Sequence, residues 1–127
     1  MILTRLEEIA KQFGLTSYNH VGPYWDEVLF YWDSVNDDPT DGWVIKYDKW
    51  RKSMRICTQL HLCDGSYNST IRIKPWESVE IDSLTVNNVE KLQNILFDLQ
   101  ASIPKLQKEM KVLLNKKNVE EIAKDFR

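Results

Sequence analysis

Hydrophobic positions change their period twice along this chain, and each change marks a new kind of element. Leu6, Ile9, Ala10 and Phe13 recur at helical spacing behind a Thr4/Glu7 capping box, with Gly14 as a stop, which predicts a helix over 4–13. After Gly22-Pro23, the run from Tyr24 to Trp32 is rich in strand formers and apolar on both alternating faces, as expected of a strand near the centre of a sheet. Residues 34–42 form an acidic, turn-rich loop ahead of a short predicted strand, Trp43 to Tyr47. From Thr85 the period lengthens again: Leu92, Leu96, Leu99, Ile103, Leu106, Met110 and Leu113 follow one another at alternating steps of about four and three, a heptad seam. Pro104 is expected to bend or split that helix, and Asn115 to Asn118 to break it before a last short helix through Phe126.

Between these elements lies a predicted hairpin. Asp64-Gly65 favours the two-residue turn whose twist suits paired strands, so Cys63 is expected opposite Ser66, Ile56 opposite Ile73, and Arg55 opposite Lys74. That register puts mostly apolar residues on one face and Arg55, Arg72 and Lys74 on the other, where facing like charges call for an anion between them.

The elements together predict an α+β fold in a single domain, 1–127: an N-terminal helix, an antiparallel meander of about four strands, and a long C-terminal helical segment packed on the sheet. The seam from Leu92 to Leu113 has two uses, covering the chain's own sheet or forming a homodimer. The first is preferred, because a small sheet needs a helix over its apolar face.

The formal charge of −2 conceals segregation. Residues 1–45 carry two basic and eight acidic side chains, residues 46–75 seven and two, and the remainder eight and nine, giving −6, +5 and −1. The acidic first third either neutralises the basic middle internally or leaves it exposed. All five tryptophans and four of the five tyrosines fall between Tyr24 and Trp76, more aromatic surface than a small sheet needs for its core. No apolar run is long enough for a membrane helix, and acids stand where a secretory signal would be apolar, so a cytoplasmic protein that makes no membrane contact is expected.

Sequence motifs add little chemistry. Leu6 to Phe13 is echoed by Val119 to Phe126, which common amphipathic helix composition explains. Glu8-Ile-Ala-Lys-Gln-Phe-Gly-Leu-Thr16 resembles the first helix and turn of a helix-turn-helix DNA reader. The resemblance implies a recognition helix next, but Tyr18 to Pro23 stands there, and glycine followed by proline ends a helix within a turn or two. Cys57, His61 and Cys63 share one face of a regular strand, yet a rise of about 3.3 Å per residue holds the two cysteines some 20 Å apart, too far for one metal or a disulfide. Asp37 to Gly42 followed by Asp48 has the glycine and the last carboxylate of a calcium loop, with Pro39 in place of a ligand. Neither His20 nor His61 belongs to an assignable triad, and no glycine-rich phosphate loop is present.

These readings lead to an expectation of a non-catalytic protein without metal or cofactor that binds another macromolecule. An inhibitor, immunity factor or adaptor of viral or mobile-element origin fits the size and composition. The expected contact residues are Lys49, Trp50, Arg51, Arg55, Arg72, Lys74 and Trp76, with a protein as the preferred partner. The alternative partner is a nucleic acid held by the hairpin 46–55, where basic residues interleave with aromatics. Should the cations instead pair with the acidic loop Asp37 to Asp41, the contact surface moves to the aromatic strand Tyr24 to Trp32.

Overall fold

A computed structural model describes residues 2–64 and 71–125. Helix α1 (Ile2–Gln12) leads into strands β1 (Thr16–Gly22) and β2 (Trp25–Tyr31). The short helix α2 (Pro39–Gly42) then precedes β3 (Ile45–Asp48), β4 (Ser53–Asp64), β5 (Ile71–Ile81) and the long helix α3 (Val86–Asp125). The strands form one antiparallel sheet in the order β1-β2-β3-β4-β5. The α+β architecture is thus as expected, with one strand more than the approximate four. The additional strand is β1, built from the residues that a helix-turn-helix protein would use for its recognition helix.

One face of the sheet is buried beneath two helices. Val28, Phe30, Ile45, Tyr47, Met54, Ile56, Ile73 and Ile81 form a common core with Leu6, Ile9 and Ala10 of α1 and Leu92, Leu96 and Leu99 of α3. Helix α1 ends at Gly14, whose φ of 71° is the left-handed geometry a glycine C-cap adopts freely. Just before that cap, the Phe13 carbonyl accepts hydrogen bonds from Trp32 Nε1 at 2.8 Å and Gln100 Nε2 at 2.9 Å, tying α1 to the end of β2 and to α3. Thr85 caps α3 by accepting from the Asn88 amide at 3.2 Å.

The seam covers the chain's own sheet: Leu92, Leu96 and Leu99 are buried, and Ile103, Leu106 and Met110 pack against the core. Contrary to expectation, α3 runs without interruption through Pro104 and through Asn115 to Asn118. Core contacts on both sides of Pro104, from Leu99 and Ile103 before it and Leu106 after it, hold the helix together despite the missing backbone donor. At 40 residues, α3 is about 60 Å long, so it outruns the 12-residue β4 of about 40 Å, and Val112, Leu113 and Leu114 lie exposed beyond Met110.

The β4–β5 register also departs from expectation. Ile56 stands opposite Val79 rather than Ile73, and Arg55 opposite Glu80 rather than Lys74. The displacement is six residues at both ends of the pair: it is already present at Cys63, which stands opposite Arg72 rather than Ser66, and is unchanged at Met54, which pairs with Ile81, on the far side of the irregularity between Cys57 and Leu60. Asp64, expected in the turn, is instead the last residue of β4 and pairs with Ile71, while Gly65 lies outside the described residues. Because Ile73 and Val79 are an even number of residues apart, the displacement leaves the core face and the open face of β5 as predicted.

Candidate interaction surface

A five-strand meander has two ends, and they differ in chemistry. The β1–β2 and β3–β4 turns lie at one end; the β2–β3 loop lies at the other, where β4 ends and β5 begins.

At the first end, Gly22 pairs with Trp25 across the Pro23-Tyr24 turn. The Trp25 ring lies over Gly22 so closely that a Cβ there would come within 2.4 Å of it and push the ring from this position. The ring also stacks on His20 at 5.3 Å between centroids, and His20 Nδ1 is 2.9 Å from Glu27 Oε1. Tyr18 stands further along the same face, 6.3 Å from the His20 ring. Tyr24, at the turn, is 81% exposed.

The adjacent β3–β4 turn is ordered by Asp48, whose Oδ1 accepts from the amides of Trp50 at 2.9 Å and Arg51 at 3.0 Å. Trp50 is thereby held outward, 60% exposed. Lys52 in the same turn has a φ of 52°, a conformation that glycine adopts without strain. Lys49 ties the two turns together: its amide donates to the Asp26 carbonyl at 2.9 Å, and its Nζ lies 3.7 Å from Asp26 Oδ1. Three carboxylates at this end are engaged locally, Asp26 with Lys49, Glu27 with His20 and Asp48 with backbone amides. Arg51 and Lys52 form no ion pair among the described residues.

The opposite end is organised around Asn36, a buried polar residue. Its Nδ2 donates to Asp41 Oδ2 at 2.9 Å and to the Ile73 carbonyl at 3.1 Å, while its Oδ1 accepts from the Asp38 amide at 3.0 Å. Asp38 caps α2 by accepting from the Thr40 amide and hydroxyl. Gly42 packs directly on Asn36, leaving no room for a Cβ. Asp41 in turn meets Lys74 Nζ at 2.9 Å and Arg72 Nε at 3.5 Å. Burial alone would raise the Asp41 pKa. The hydrogen bond from Asn36 and the charges of Lys74 and Arg72 outweigh it, holding the carboxyl below its ordinary 3.8. Helix α2 thus clasps β2 to β5, two strands that are not neighbours in the sheet.

The seven residues expected to form one contact surface are divided by this geometry. Lys49, Trp50 and Arg51 occupy the β3–β4 turn. Arg72 and Lys74 belong to the Asp41 clasp. Arg55 lies between the two groups, its Nε donating to Ser78 Oγ at 3.1 Å. Trp76 is 61% exposed on β5 and lies 4.6 Å, between ring centroids, from His61. The cross-strand repulsion expected between Arg55 and Lys74 does not arise, since Glu80 and His61 are their respective partners. Cys57 is fully buried, and burial pushes its thiol pKa up to about 11. Among the described residues, no three His, Cys, Asp or Glu side chains converge as a metal site would require.

Tyr18, His20, Val21 and Asn36 went unselected in the sequence reading. The first three depend on β1 being a strand, which its mixed polar composition does not signal, and Asn36 on a contact with Ile73 far along the chain. Compared with known protein families, curated proteins and solved structures, the chain matches none.

Proposed function

We propose that this is a non-catalytic cytoplasmic binding protein of the inhibitor, immunity or adaptor type, which engages a protein partner through the end formed by the β1–β2 and β3–β4 turns. The observation that carries the reading is the exposure of Tyr24, Trp25 and Trp50 at two turns of the same sheet end that Lys49 ties together. Rigid aromatic side chains lose little conformational entropy on binding and dominate interface energetics, and Arg51 and Lys52 supply a polar, basic rim. A strained lysine at position 52 fits the same reading, because backbone strain is retained where a side chain is needed more than stability. Arg72 and Lys74, by contrast, already have an anion in Asp41.

The test is affinity capture from the source cells with the wild-type chain and with a Tyr24→Ser/Trp50→Ser double variant of unchanged thermal midpoint. Reproducible retention of a protein by the wild type, lost in the variant, supports the proposal. Equal retention by both contradicts it.

A second reading draws on the cations around Trp50. If the turn holds single-stranded nucleic acid by stacking and phosphate contacts, oligonucleotides will quench tryptophan fluorescence at low salt, and the affinity will fall steeply as salt is raised. No quenching at low salt would remove this alternative.

A further inference from the structure

The two edges of the sheet are protected to very different degrees. Strand β5 carries Pro75 and irregular pairing to β4, its Lys74 and Arg72 reach Asp41, and its Ile73 carbonyl is occupied by Asn36. These are devices that keep an edge from pairing with another chain. Strand β1 has none of them. Its seven residues, Thr-Ser-Tyr-Asn-His-Val-Gly, include no proline, lysine or acid, and all seven pair with β2 in unbroken register. Among the described residues β2 is its only strand neighbour. Tyr18 is 43% exposed and Val21 67% exposed, and Asn19 between them is exposed as well.

We propose that the occupant of this edge is β1 of a second copy, paired antiparallel about a two-fold axis at Asn19, the midpoint of Thr16–Gly22. Two antiparallel copies of one edge meet isologously, so Asn19 faces its own mate, Tyr18 faces His20, Ser17 faces Val21 and Thr16 faces Gly22. Self-pairing of this kind opposes any charged residue at the axis to itself, and the neutral composition of β1 avoids that penalty. An aromatic beside a histidine is a favourable cross-strand neighbour. The product is a continuous sheet running through both chains, with the helices of each copy still over its own core. The α3 seam takes no part, since it is occupied within the chain as far as Met110.

Sedimentation equilibrium from micromolar to several hundred micromolar tests this. The wild-type mass is expected to rise with concentration from one chain toward two. Asn19→Lys and Asn19→Glu, both at an exposed position, are each expected to stay at one chain with unchanged circular dichroism, because like charges then meet at the axis. Mixing the two variants is expected to restore the dimer, as opposite charges face each other. A wild type that remains a single chain throughout overturns the proposal. So does a dimer indifferent to Asn19→Lys, a variant mixture that stays monomeric, or a dimer dissolved by Leu113→Asp but not by Asn19→Lys.

Discussion

The two ends of the sheet begin from similar ingredients and arrive at different chemistry. Both combine basic residues with aspartates, yet at the α2 end a half-buried aspartate is held between two cations, while at the turn end Asp26, Glu27 and Asp48 are taken up locally and the aromatics are left outside. The difference lies in what the loops reach. The β2–β3 loop is long enough to fold α2 back over β5, so its acid finds Lys74 and Arg72. The two tight turns at the other end reach no further than each other. Basic and aromatic composition therefore does not by itself mark a contact surface; its availability depends on whether an acidic segment can cover it.

The largest stability effect is expected at the clasp. Asn36→Ala removes donors and an acceptor that serve Asp41, Ile73 and Asp38, and should cost about 2–3 kcal/mol in urea unfolding, because it leaves buried polar groups unpaired. A loss below half of that would mean that the loop is not a structural brace.

Asp41→Asn should cost less, about 1–2 kcal/mol, since Arg72 and Lys74 retain partial access to water. The pH dependence has a definite sign. A carboxyl whose folded pKa lies below its ordinary 3.8 contributes stability above that value, and the contribution is lost as pH falls through the lower folded pKa. The gap in thermal midpoint between wild type and Asp41→Asn should thus be constant near neutrality and narrow below pH 3.8. A gap that persists unchanged in acid would separate Asp41 from the cations.

At the turn end the expected changes are small and of the opposite kind. Lys52→Gly should raise stability by about 0.5 kcal/mol, by removing the strain of a left-handed lysine. Tyr24→Ser and Trp50→Ser, both exposed, should each stay within about 0.5 kcal/mol of wild type. A large loss at either position would show that these aromatics are structural, and the contrast between the two ends would disappear.

Most of the architecture was legible because local rules agreed with one another. Gly14, the Leu6–Phe13 spacing and the Leu92–Met110 seam each identified an element and its buried face. Strand β1 was not legible, because Thr16 to Gly22 is polar on both faces and its pairing with β2 supplies the order that its composition lacks. Pro104 misled for a related reason: a local break signal was overridden by packing on both sides. The β4–β5 register was displaced because a turn rule acts over a few residues, whereas the pairing of Met54 with Ile81 reflects the full length of two strands. At the candidate site, Trp50 and its basic neighbours could be read directly. The neutralisation of Arg72 and Lys74 was an open alternative that only the position of α2 decides.

The most direct test compares partner retention by two double variants of the same chain. Tyr24→Ser/Trp50→Ser should abolish retention with the thermal midpoint unchanged, whereas Arg72→Gln/Lys74→Gln should lower the midpoint and leave retention intact while the protein is folded. Loss of the partner from the Arg72/Lys74 variant, with retention by the Tyr24/Trp50 variant, would contradict the account and place the contact surface at the clasp.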